Sequence, residues 1–100
     1  MKAYETMYIL RPRVSEKEIE EIKGKIEKLT REHKGEMKLH QSLGRKPLGY
    51  AMKKEKEGIY IQADYTGEGT LIPEIERILR FDERVIRFLT TTAKEVPHGT

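Results

Sequence analysis

Apolar residues along this chain follow two alternating rhythms. Residues 3–10, Ala-Tyr-Glu-Thr-Met-Tyr-Ile-Leu, are short, β-branched and aromatic, and predict a strand. Arg11-Pro12-Arg13 ends it, because proline has no N–H to give to a ladder. Ser15 and Glu18 have the spacing of a capping box, and Ile19, Ile22, Ile26 and Leu29 follow at helical spacing. Together they predict a helix over 15–34, with Gly35 as the left-handed residue that closes it.

Met37, Leu39 and Leu43 share one parity, which predicts a half-buried strand over 36–43. Residues 44–49, Gly-Arg-Lys-Pro-Leu-Gly, predict a turn or bulge, after which Tyr50-Ala51-Met52 rejoins the sheet. Residues 53–58 are highly charged and predict a hairpin loop. From Ile59 to Thr66 the alternation returns, with Ile59, Ile61, Ala63 and Tyr65 on one side and Tyr60, Gln62 and Asp64 on the other. Thr70 is a plausible N-cap for a second helix over 71–80, whose stripe is Leu71, Ile75, Ile78 and Leu79. Residues 84–92 predict a last strand, and 96–100 a loose tail.

The order strand, helix, strand, strand, helix, strand predicts an α+β ferredoxin-like βαββαβ sandwich, with a four-stranded antiparallel sheet and both helices on one face. One hundred residues suit one domain, taken as residues 1–95. If Thr6, Tyr8 and Leu10 face the helices, then Ala3, Glu5, Met7 and Ile9 face away, beside Tyr60, Gln62, Asp64, Arg87, Leu89 and Thr91. On that uncovered side Met7, Ile9, Tyr60 and Leu89 form a mixed apolar patch with a polar surround, the profile of a protein interface.

Composition removes several classes of function. There is no cysteine, so there is no disulfide framework and no thiolate metal site. The first residues, Met1-Lys2-Ala3-Tyr4-Glu5, lack the apolar stretch of a signal peptide, and no apolar run approaches a membrane span. Asparagine and tryptophan are absent while Lys, Glu, Arg and Ile abound, a composition that leans toward a heat-adapted source. His33, His40 and His98 fall in a helix end, a strand and a tail and read as solvated or interface histidines. Ser15 is used as a cap, and Ser42 lacks a nucleophile-elbow pattern. Catalysis, a metal site and a cofactor therefore find no support, and an acylphosphatase reading fails for want of an asparagine.

The net charge of +3 is modest but uneven. The first helix with its flanks is nearly balanced, whereas residues 45–56 carry Arg45, Lys46, Lys53, Lys54 and Lys56 against Glu55 alone. Residues 77–94 add Arg77, Arg80, Arg84, Arg87 and Lys94 against Asp82 and Glu83. Clustered cations suit phosphate contact, and Tyr4, Tyr50 and Tyr60 lie among them as stacking candidates. A solubilising face with structural tyrosines accounts for the same charges. An RNA-recognition motif of the usual kind is disfavoured, because Glu57-Gly58-Ile59-Tyr60 lacks its basic and aromatic positions.

Three segments resemble the bacterial small-subunit ribosomal protein six family: Tyr4-Glu5 with Pro12 after the first strand, Gly44-Arg45-Lys46-Pro47-Leu48-Gly49-Tyr50-Ala51-Met52-Lys53, and Phe81-Asp82-Glu83-Arg84-Val85-Ile86-Arg87. Pro47, Gly49 and Met52 depart from the family's pattern. The resemblance implies a ferredoxin-like fold and a non-catalytic cytoplasmic role on the ribosome. It also implies binding to the central domain of small-subunit ribosomal RNA together with ribosomal protein eighteen. On this reading Lys2, Arg45, Lys46, Lys53, Lys54 and Arg87 meet phosphates. Tyr4 and Tyr50 are candidates for sugar or base contact, although Tyr50 also reads as structural. Met7, Ile9, Tyr60 and Leu89 meet the protein partner, with the 96–100 tail ordering on contact. No membrane or small-molecule partner is expected. The rival readings are a ferredoxin-like ligand sensor acting as a homodimer and a minor enzyme on the same fold.

Overall fold

The structure is a computed structural model and describes residues 2–92. Its elements are β1 (Lys2–Leu10), α1 (Glu16–Glu32), β2 (Glu36–Met52), β3 (Glu55–Gly67), α2 (Leu71–Phe81) and β4 (Val85–Thr92). The strands form one antiparallel sheet in the order β2-β3-β1-β4, so β3 and β1 are central and β2 and β4 are edges. This is the ferredoxin-like sandwich that the periodicity predicts. The proposed tail, residues 96–100, and His98 lie outside the described residues.

The core forms where the two periods meet. Tyr4, Thr6, Tyr8 and Leu10 point from β1 toward the helices, and Ile59, Ile61, Ala63 and Tyr65 do so from β3. Against them pack Ile22 and Ile26 of α1 and Leu71, Ile75 and Leu79 of α2. Each fully buried isoleucine or leucine contributes about 1.5–3 kcal/mol. The buried Thr6 hydroxyl bonds to the Tyr65 hydroxyl at 2.7 Å and to the Thr90 hydroxyl at 2.8 Å, so the polar groups of this core are paired. Burial pushes the Tyr65 hydroxyl pKa up.

The start of α1 is the capping box expected of it: Glu18 N–H donates to Ser15 Oγ at 3.1 Å, and Ser15 N–H to Glu18 Oε1 at 2.8 Å. Its end differs from expectation by one residue. Lys34, not Gly35, holds the left-handed conformation, with φ of 62°. Lys34 N–H bonds to Arg31 O and Gly35 N–H to Thr30 O, which completes a Schellman motif. Glycine is needed next door for a different reason: a Cβ on Gly35 would run into the carbonyl oxygen of Thr66 on β3. Thr70 does not cap α2. Its backbone is helical, with no bond from its side chain, and Leu71 N–H and Ile72 N–H turn onto Glu68 O and Gly69 O.

The largest difference is β2, which runs unbroken from Glu36 to Met52 instead of stopping at residue 43. Its register against β3 shifts between Met37 and Leu39, between Ser42 and Gly44, and more widely between Pro47 and Met52, where residues 48–51 leave the ladder near the expected irregular stretch 44–49. Each of the first two bulges inserts one residue and reverses the alternation. Met37 therefore faces the helices while Leu39, 37% exposed, faces away, and the shared parity read from Met37, Leu39 and Leu43 does not hold. Gly44 supplies the positive φ of 91° at the second bulge, where its N–H bonds to Ser42 Oγ. The charged loop expected over 53–58 shrinks to Lys53-Lys54, both with positive φ (48° and 67°), between the paired residues Met52 and Glu55. That is the geometry of a two-residue hairpin turn.

Candidate nucleic-acid and protein interface

The far half of the β2–β3 hairpin does not continue as flat sheet. It folds over the face opposite the helices. Leu48, between Pro47 and Gly49, is buried there against Ile9 of β1 and Ile86 of β4, with Met52 and Tyr60 beside them. Two polar ties hold the tip: Lys53 Nζ donates to Val85 O at 3.3 Å, and Glu55 accepts from Arg11 at 3.3 Å and lies 3.5 Å from Arg13. The hairpin thus crosses from β3 over β1 to the start of β4. The lone apolar side chain of Leu48 in a Gly- and Pro-rich stretch was the signal for this arm.

Beside the arm, the open face holds a groove of about 310 Å³ whose walls include Met7, Ile9, Tyr60 and Leu89 from the sheet and Tyr50 and Met52 from the arm. The four sheet residues predicted as a protein patch therefore lie together, with Leu89 59% and Tyr50 67% exposed. Ile9 is largely covered by the arm. Arg87, opposite Ile9 in register, stands at the groove's basic end. Lys46 lies over the Tyr60 ring, its Nζ 5.9 Å from the centroid.

The remaining predicted cations are not all in one place. Lys46, Lys53 and Arg87 gather at the hairpin end of the open face, with Lys54 beside Lys53 in the turn; Arg13, 3.5 Å from Glu55, and Lys56 of β3 lie at the same end of the sheet and stand outside the phosphate-contact set. Arg45 is turned to the helix side by the Gly44 bulge. There it donates to Pro12 O at 3.0 Å and lies 3.9 Å from Glu57. Lys2 stands at the opposite end of β1, paired with Gly67, roughly 25 Å along the strand from the hairpin end. Tyr4 is 9% exposed and packs on Tyr65 in the core, so its ring is not free to stack on a base. Its even position on β1 puts it on the same side as Thr6 and Tyr8. Arg84 is consumed within the protein: it bonds to both carboxylate oxygens of Asp82 and to Glu21, and lies 3.9 Å from Glu18. That guanidinium holds the Asp82 carboxyl below the usual carboxylate range.

The histidines are not simply solvated. The side chain of His40 is buried, 2% exposed. Its Nε2 meets the Tyr8 hydroxyl at 2.7 Å and its Nδ1 meets Glu27 Oε2 at 2.9 Å. The network assigns a neutral imidazole that accepts from Tyr8 and donates to Glu27. Burial drives the Tyr8 pKa upward, keeping the hydroxyl protonated, and burial also lowers the His40 pKa. Tyr, His and Glu in a row are the residue types of a proton relay. However, both ring nitrogens are already bonded within the protein, which leaves neither for a substrate. His33 Nδ1 lies 3.0 Å from Leu29 O at the end of α1. Among the described residues no group of three metal-ligating side chains converges.

Comparison with known proteins bears on the family and the fold. A family model described as ribosomal protein S6 matches residues 3–92. The small ribosomal subunit protein bS6 of Synechococcus elongatus is 43% identical over 94 residues, which cover 94% of this chain and 88% of that protein. The protein of the same name from a Cyanothece species is 36% identical over 92 residues, covering 92% and 87%. Other relatives are longer, and the chain spans 51% of the one from Desulfatibacillum aliphaticivorans. The crystal structure of 30S ribosomal protein S6 from Thermotoga maritima superimposes with a TM-score of 0.83 at 29% identity, over 91% of this chain and 86% of that one.

Proposed function

The chain belongs to the ribosomal protein S6 family, and from that premise we propose that it acts without catalysis, binding small-subunit ribosomal RNA and ribosomal protein eighteen side by side. Its setting is the small ribosomal subunit of the bacterial cytoplasm. The RNA contact falls to the hairpin end: Lys46, Lys53, Lys54 and Arg87 of the predicted set, with Arg13 and Lys56. The protein contact falls to the groove walled by Met7, Ile9, Tyr60 and Leu89. Tyr50, on the arm between the two, serves either side through its exposed ring.

The observation that carries this reading is the division of one sheet face into adjoining parts. One end is rich in cations, which release counterions when phosphates replace them. The neighbouring trough is apolar and half open, as a protein contact requires. Two ligands that meet along a shared border on this face would each strengthen the other's binding.

The test is an RNA-binding titration over a range of salt. Lys53→Ala with Lys54→Ala is expected to weaken binding of a central-domain RNA fragment at fixed salt and to lower the salt slope by about 2, one for each phosphate contact removed. An unchanged slope would exclude both lysines from the contact. A soluble homodimer that binds neither RNA nor ribosomal protein eighteen would overturn the reading as a whole.

A further inference from the structure

The open face has a second electrical end. Glu5 on β1 and Asp64 on β3 are directly opposite in register and both point away from the helices. Directly opposed residues hold their Cβ atoms roughly 5 Å apart, and like charges there are destabilising. Among the described residues neither carboxylate has an ion-pair partner. Among the described residues the Asp64 carboxylate accepts from the Gln62 amide alone, at 3.2 Å to each oxygen. Glu5 is two residues from Met7 on the same side of β1, so the acidic pair borders the apolar groove at the end away from Arg87 and the hairpin.

We propose that the groove receives a segment of the protein partner that presents an apolar side chain to Met7, Tyr60 and Leu89 and a lysine or arginine to Glu5 and Asp64. This rests on the reading of the sheet face as a protein-docking surface and gives that partner's chemistry. RNA is the wrong occupant for this half of the face, because its phosphates would meet two uncompensated carboxylates. A second copy of the chain is the wrong shape: the arm stands over the face at Leu48 and prevents two sheets from lying flush. A groove of about 310 Å³ matches one or two inserted side chains. The cation supplied by the partner removes the repulsion between Glu5 and Asp64, so the pair lends specificity for a basic residue at that position.

Binding of ribosomal protein eighteen to the wild-type protein and to the Glu5→Gln, Asp64→Asn variant, measured calorimetrically at low and high salt, tests this. The substitutions are near-isosteric, and the variant is expected to unfold at the same temperature as wild type or higher. Its affinity is expected to drop roughly tenfold at low salt, with the difference shrinking at high salt. Equal affinities at both salts would overturn the charge pairing and leave the docking surface standing. No binding by the wild-type protein would overturn both. Wild-type dimers that the variant fails to form would give the groove to a second copy instead.

Discussion

The imidazole of His40 meets the carboxylate of Glu27 at 2.9 Å in a site where the histidine side chain is 2% exposed. The contact joins the edge strand β2 to α1, and Tyr8 extends it under the helix layer. Burial outweighs the nearby Glu27 and Glu20, and with Lys23 it favours the neutral ring, so the His40 pKa falls below its ordinary 6.5. The folded state then binds fewer protons than the unfolded state between the lowered value and 6.5. The stabilisation is fully present above 6.5 and is lost as pH falls through that window. Unfolding free energies measured from pH 7.5 to 5 should decline toward acid, and His40→Gln should remove part of that decline. Parallel curves for the two proteins would show that His40 titrates normally.

Leu48 pins the arm. Leu48→Ala should cost about 2 kcal/mol, the low end for a buried leucine, because the small cluster can partly collapse. Amide exchange should speed up most at Met52 and Glu55 and little in α1. Uniform loss of protection would mean that the arm is no separate unit.

The end of α1 offers a paired test. Lys34→Gly should stabilise by roughly 0.5–1 kcal/mol by relieving a left-handed lysine. Gly35→Ala should destabilise by about 1–3 kcal/mol, because the added methyl meets the Thr66 carbonyl. Chemical denaturation distinguishes these signs, and the opposite pattern would put the left-handed residue at 35.

The Lys53-Lys54 turn sets stability against charge. Replacing the pair by Asn-Gly, the favoured residues for two successive positive φ values, should relieve about 1 kcal/mol of backbone strain, offset in part by loss of the Lys53 bond to Val85 O. The same change should weaken RNA binding by removing two cations. A variant both more stable and equally tight for RNA would leave the lysines without a role.

These residues also explain what could be read without coordinates. The helices were legible because Ile22 and Ile26, and Leu71, Ile75 and Leu79, keep strict helical spacing, and because Ser15 and Glu18 announce a start. The sheet-face patch was legible because β1 and β3 keep period two through Met7, Ile9 and Tyr60, and β4 does so through Arg87 and Leu89, beyond the bulge that leaves Ile86 without a partner on β1. β2 was not, since two bulges each reset its alternation. The Gly44 bulge alone turns Arg45 inward and Lys46 outward. The hairpin was legible but its two-residue turn was not, because lysines occupy positions that glycine or asparagine would have marked. Tyr4, expected as a contact residue, is buried on the helix side, where its parity with Thr6 and Tyr8 already placed it.

The crossing of the arm also bears on the order in which this molecule is made. Leu48 and Lys53 are held by Ile86 and Val85, which are translated more than thirty residues later. The hairpin can pair early, since its two strands are neighbours in the chain, but its tip stays unanchored until β4 enters the sheet beside β1. A nascent chain lacking β4 would have its cations without their fixed arrangement. The fixed arrangement of the hairpin thus arrives late in synthesis, with the closing of the sheet.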